Sequence, residues 1–224
     1  MKKLILFCFA YCFAFHVSAQ DDVSVFFAPT SSKFKYTNSQ GNKDPNMRYQ
    51  FRPSFGLNYS KVFNSGVFIR PELGYKNFGA ISLLNDQKVD WSLHYLDFNI
   101  GCGYQKQFGS VIPFAGIAPY FSYLFKGKET FGSTVYDLLG DNGLRQIDWG
   151  LNIFAGVKYP ITKANSLFVE IRNVTGLWQL EKNSVNGQNE KTYNRALSFH
   201  FGISFNIVKG VKRKEETPEK GGAI

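Results

Sequence analysis

The sequence predicts an all-β protein, an eight-stranded antiparallel up-and-down transmembrane β-barrel. Three observations predict it. Eight segments alternate apolar and polar residues with the period of two that an extended strand imposes. The connections between them alternate short and long. Charged residues crowd one face of these segments and are nearly absent from the other.

The expected strands are residues 22–35, 48–63, 67–81, 91–107, 111–126, 147–160, 166–179 and 195–208. The first begins directly after an apolar leader. In the second, Tyr49, Phe51, Pro53, Phe55, Leu57 and Tyr59 share one face, and Gln50, Arg52, Ser54, Gly56, Asn58 and Ser60 share the other. The third carries Arg70, Glu72 and Lys76 on its polar face. In the fourth, Leu96, Phe98, Ile100, Cys102 and Tyr104 alternate with Asp97, Asn99, Gly101 and Gly103. Upstream, Leu93 and Tyr95 fall on the polar face, which implies either a bulge or a filled interior. "GCG" (101–103) reads as small residues making room inside the barrel. The fifth contains "VIPFAGIAPYFSY" (111–123). In the sixth, Ile147, Trp149, Leu151, Ile153, Ala155, Val157 and Tyr159 oppose Asp148, Gly150, Asn152, Gly156 and Lys158, with Phe154 as an exception. The seventh places Glu170 and Arg172 together. The eighth sets Leu197, Phe199, Phe201, Ile203, Phe205 and Ile207 against Ala196, Ser198, His200, Gly202, Ser204 and Asn206.

"FNSG" (63–66), "QFGS" (107–110) and "ITKANS" (161–166) have tight-turn chemistry. Tyr36–Met47, Leu83–Asp90, Gly127–Gln146 and Glu181–Asn194 read as long polar loops. Short turns at one end and long loops at the other are the pattern of an outer-membrane barrel. With the N-terminus in the periplasm, every long loop lies outside, and an even strand number returns the C-terminus to the periplasm.

Such a barrel can be greasy inside or greasy outside. Tyr49 and Tyr59 bracket one apolar face, and Trp149 and Tyr159 bracket another, each pair ten residues apart. A tilted strand of that length spans roughly 25 Å, the height of a lipid-facing band between aromatic girdles. The apolar faces therefore meet lipid, and Arg52, Arg70, Glu72, Asp97, Glu170 and Arg172 are expected inside as a paired polar cluster. Eight strands leave an interior that side chains fill, so a plug is preferred to an ion path or gate. The rival architecture is a soluble secreted barrel of the lipocalin type, which needs the greasy faces inward around a ligand. A lipid A-modifying outer-membrane enzyme ranks third. His94 lies near Ser92 without an assignable carboxylate, and His200 and Ser204 lie about 13 Å apart along their strand. No catalytic residue, cofactor site or metal site is expected.

Composition fits one domain of 224 residues, with 17% aromatics and 21 glycines. Residues 1–19 have the form of a secretory signal peptide: Lys2 and Lys3, an apolar run, then Val17-Ser18-Ala19. Its removal would take Cys8 and Cys12, leaving Cys102 alone and no intramolecular disulfide. It would also lower the formal charge from +9 to +7 by the loss of the two lysines. An exported basic chain without stacked aromatic and basic residues is not expected to bind nucleic acid. Residues 20–208 form the barrel. Residues 209–224, charged and containing Pro and Gly, are expected to be a disordered periplasmic tail.

The "VSAQ" at the cleavage site, "YLDFNIGCGY" (95–104), "VIPFAGIAPYFSY" and the closing "LSFHFGISFNI" resemble the outer-membrane β-barrel family of Bacteroidota, which includes PorT-like proteins. The resemblance spans about residues 20–208 and carries no functional residue across. It implies an outer-membrane location, lipid as surroundings, a monomeric barrel and, as in some relatives, support of protein secretion through an envelope partner. Many such barrels end at the last strand, and the charged tail departs from that.

Overall fold

The computed structural model describes residues 20–38, 40–42, 46–84, 87–139, 143–182 and 191–207. The expected signal peptide and tail lie outside the described residues. Nine strands are present among the described residues: β1 (Gln20–Thr37), β2 (Gln50–Val62), β3 (Val67–Leu84), β4 (Gln87–Gln105), β5 (Ile112–Phe131), β6 (Thr134–Asp137), β7 (Ile147–Pro160), β8 (Asn165–Gly176) and β9 (Lys191–Ile207). Eight of them close a ring in the order β1-β2-β3-β4-β5-β7-β8-β9, and β9 pairs back onto β1. Every pairing is antiparallel. Closure gives each backbone N–H and C=O a neighbour, which a sheet in hydrocarbon requires. The short β6 stands off the ring and pairs with the C-terminal end of β5.

The strands rise further at one end than the sequence pattern suggests. β3 and β4 continue to Leu84 and Gln87, so most of the expected 83–90 loop is hairpin. β5 runs to Phe131 and turns into β6, so much of the expected 127–146 loop is also hairpin. The reason is solvent. Above the lipid band the outward positions become polar, as at Lys88, Asp90, Ser92 and Lys128, and the apolar stripe that marks a strand in lipid stops. The hydrogen-bonded ladder continues in water. β9 likewise begins at Lys191, ahead of the expected 195. β8 stops at Gly176, three residues short of the expected end.

The irregularity foreseen in the fourth strand resolves into both of its readings. Leu93 and Tyr95 point inward and are fully buried. The pairing with β5 shifts between His94 and Tyr95, so that Phe125 has no partner and forms a bulge on β5. At the opposite end, the turn at 63–66 closes on Gly66, whose φ of 86° is open to glycine at little cost.

Outward side chains form an apolar belt. Phe27, Phe55, Leu57, Phe98, Ile153 and Phe201 are about half exposed. Two buried aromatic layers lie inside. The one near the tight turns contains Phe26, Phe68, Phe114, Phe154 and Phe168. Each of these rings lies over a glycine directly across the ladder: Phe26 on Gly56, Phe68 on Gly103, Phe154 on Gly116, Phe114 on Gly156 and Phe168 on Gly202. A methyl group on Gly116 would sit 2.7 Å from the Phe154 ring. This explains the Phe154 exception: the ring points inward because the neighbouring strand offers it bare backbone. The other layer, near the long loops, gathers Phe34, Phe78, Leu93, Tyr95, Leu124 and Leu180, with Leu138, Leu139 and Leu144 packed on it.

Candidate functional site

Between the two aromatic layers lies a charged tier. Its members reach it because inward positions alternate along each strand, and neighbouring strands stagger them to similar height. Arg172 on β8 grips Glu72 on β3 with Nη1–Oε1 at 2.6 Å and Nη2–Oε2 at 2.9 Å. It also holds Glu170 Oε1 at 2.7 Å. Arg70 reaches the other oxygen of Glu170 at 2.7 Å, and its guanidinium lies 4.2 Å from the centre of the Phe154 ring. Asn99 donates to both Glu72 and Asp97 at 3.0 Å, which joins Asp97 to this network. Arg172, Glu72 and Glu170 are almost wholly buried.

Arg52 does not join. It sits at the rim and binds Asp90 at 2.7 Å, an acid the sequence reading had placed in a loop. Because β4 continues above the membrane, Asp90 lies on a strand and within reach of β2. Asp97 takes Lys76, at 2.8 Å, as its cation rather than an arginine. Three further inward polar groups lie beside this tier rather than in it. Lys158 binds Asp22 at 2.6 Å near the tight-turn end. Asp148 accepts from the Tyr120 hydroxyl at 3.1 Å and from Asn194 at 2.8 Å. The position of Asp22 was legible from its parity: it lies in step with the inward Ser24, Thr30 and Ser32. The interior thus sets the cations Arg70, Lys76, Lys158 and Arg172 against the carboxylates of Asp22, Glu72, Asp97, Asp148 and Glu170.

This tier fills the lumen. Beside Arg70 lies a void of about 20 Å³, and beside His200 one of about 10 Å³. Each has room for at most about one water. Above, a chamber of about 240 Å³ opens at the mouth, lined by Phe34, Trp91, Leu138, Leu144 and Leu180, with Glu129 and Glu181 at its edge.

Neither histidine meets a carboxylate by hydrogen bond among the described residues. His94 lies on the outer wall between the Tyr75 hydroxyl at 2.6 Å and Ser92 at 3.1 Å. His200 is inside and contacts Ser198 at 3.0 Å, not Ser204. A serine hydrolase needs its imidazole oriented by an acceptor on the far nitrogen, and at His94 that nitrogen meets a phenol. The aromatic residues singled out at the strand ends all face outward: Tyr49, Tyr59, Trp149 and Tyr159 are 54%, 36%, 41% and 52% exposed.

Charges inside and apolar side chains outside, on a closed ring, make a wall that only a bilayer satisfies. Residues 18–181 match the family model of the outer membrane protein beta-barrel domain. The chain belongs to this family. It is an outer-membrane β-barrel, and the soluble lipocalin-like alternative, which needed the apolar faces inward, is overturned. Among solved structures it is similar to Neisserial surface protein A, at 14% identity and a TM-score of 0.52 over 85% of this chain and 99% of that one. It is also similar to the outer membrane protein OprG from Pseudomonas aeruginosa, at 13% identity and a TM-score of 0.51 over 85% of this chain and 96% of that one. At such identities the likeness is one of fold. No curated protein matches the chain.

Proposed function

We propose that this barrel is a closed, non-enzymatic component of the cell envelope that works through its extracellular hairpins and loops or through its tail. One observation carries the reading: across the middle of the lumen Arg70, Glu72, Glu170 and Arg172 are buried and paired with one another. The outer hairpin supports it. Val135 and Tyr136 on β6 are more than half exposed, whereas Leu138, Leu139 and Leu144 are drawn into the mouth. Part of the apolar loop seals the barrel, and part is offered to a partner.

In this reading residues 1–19 direct export and are removed, both ends of the mature chain lie in the periplasm, and residues 209–224 form a charged tail there. The barrel acts as a monomer, without cofactor. The PorT-like resemblance makes protein secretion across the outer membrane of a Bacteroidota cell the first process to examine.

The test pairs conductance with exchange of the hairpin tip. Purified protein in planar bilayers should pass no steady current. Replacement of Val135 and Tyr136 by serine should leave the barrel folded and abolish the phenotype of the intact gene; removal of residues 211–224 probes the tail in the same way. Steady ion conduction, with both changes silent, overturns the reading in favour of a channel.

A further inference from the structure

The outer wall carries a cationic patch that the plug and the hairpins leave unexplained. On the antiparallel β1–β9 pair, Lys33 lies directly opposite Arg195, and the next outward rungs bring Lys35 and Lys191 onto the same face. Like charges directly opposed across a ladder repel. The described acidic residues of β8, β9, β1 and β2 are Asp21, Asp22 and Glu170, at the far end of the barrel or inside it. None of the four cations has an ion-pair partner among the described residues.

Two of them are nevertheless held in place. Arg195 donates to the Thr175 hydroxyl on β8, and Lys33 Nζ lies 4.5 Å from the centre of the ring of Tyr49, the residue just before β2. The height of the patch is fixed by the strand beneath it. On β9 the outward residues from Leu197 to Ile207 are apolar, a run of about 25 Å once tilted. Arg195 is the next outward residue. The patch therefore begins where hydrocarbon ends, at the level of lipid headgroups.

We propose that this face binds the phosphorylated headgroup of an outer-leaflet lipid. Four cations with hydroxyl and phenol groups beside them match a phosphate in charge and in hydrogen bonding. The bound headgroup supplies the negative charge that relieves the Lys33–Arg195 repulsion. Which leaflet is concerned rests on the orientation proposed above. The headgroup chemistry does not, because symmetric vesicles present lipid at both ends of the barrel.

The full barrel is folded into phosphatidylcholine vesicles with or without a minor fraction of phosphatidic acid, a phosphomonoester lipid. The readout is the temperature at which the compact form is lost on gels. Phosphatidic acid should raise that midpoint for the wild-type barrel, and added salt should diminish the rise. The Lys33→Gln/Arg195→Gln variant should lose roughly half of the rise or more. A Lys61→Gln/Lys163→Gln variant, altered at the tight-turn end, should keep it. An equal rise in the Lys33/Arg195 variant overturns the proposal. So does an equal rise when inorganic phosphate is added to pure phosphatidylcholine vesicles, which would make the occupant a soluble anion. Should the double variant not fold, the exposed Lys35→Gln replaces it, with a smaller loss expected and full retention counting against the site.

Discussion

Arg172 and Glu72 stand one hundred residues apart in sequence and meet across the barrel in a two-pronged ion pair. Glu72→Ala should therefore leave the Arg172 guanidinium short of a counter-charge in a dry interior, at a cost of about 3–5 kcal/mol. Urea titration of the vesicle-folded barrel measures it. The Glu72→Ala/Arg172→Ala double variant should recover at least about 1 kcal/mol of that loss. Leu197→Ile, on the lipid face, should change stability by less than about 1 kcal/mol.

Asp148 tests the converse. Its bonds come from neutral donors, Tyr120 and Asn194, so the local structure does not depend on its charge in the way Arg172 depends on Glu72. Asp148→Asn should cost less than about 1–2 kcal/mol, well below Glu72→Ala in the same titration. Equal losses would show that the tier responds to total charge rather than to individual pairs.

Glycine substitutions separate space from composition. A Cβ at Gly116 meets the Cys102 carbonyl at 2.4 Å and the Phe154 ring at 2.7 Å, whereas at Gly101 its nearest neighbour is at 3.4 Å. Gly116→Ala should reduce the yield of the compact, heat-modifiable form severely. Gly101→Ala should fold at near wild-type yield. Both are read on one unboiled gel.

Depth on the outer wall should set the cost of a charge. Ile153 lies in the middle of the outward face of β7 and is 57% exposed, while Tyr159 is at its end. Ile153→Lys should destabilise by about 2–4 kcal/mol, and Tyr159→Lys by about 0–1 kcal/mol. Similar penalties at the two positions would mean that the hydrocarbon is not centred on Ile153.

Much of the fold was legible because the bilayer demands a strict pattern. β2, β7 and β9 place an apolar residue at nearly every outward position, and parity then assigns Arg70, Glu72, Glu170 and Arg172 to one side. What the pattern could not convey lies beyond the lipid. Asp90 looked like loop because Lys88, Asp90 and Ser92 are polar for water's sake, and so the partner of Arg52 was missed. Pairing inside the tier was also out of reach. Alternation says that Lys76 and Asp97 point inward, but their meeting depends on strand stagger, which no single segment encodes. Phe154 looked like an error of alternation until Gly116 appeared across from it.

Those ring-over-glycine contacts bear on a problem that polarity alone leaves unsolved. A slip of one residue between strands turns every side chain the wrong way and is rejected by the bilayer. A slip of two keeps each side chain on its proper face, so lipid and water cannot detect it. The contacts can. If β5 slid by two residues against β7 in one direction, Phe154 would face Phe114, ring against ring; in the other, Phe154 would face Ala118 while Gly116 and Gly156 faced each other across a void. Either mistake loses two large buried rings from their seats at once. Repeated between β1 and β2, β3 and β4, and β8 and β9, the device proofreads the closing of the barrel for the one class of misalignment that its surroundings would otherwise let pass.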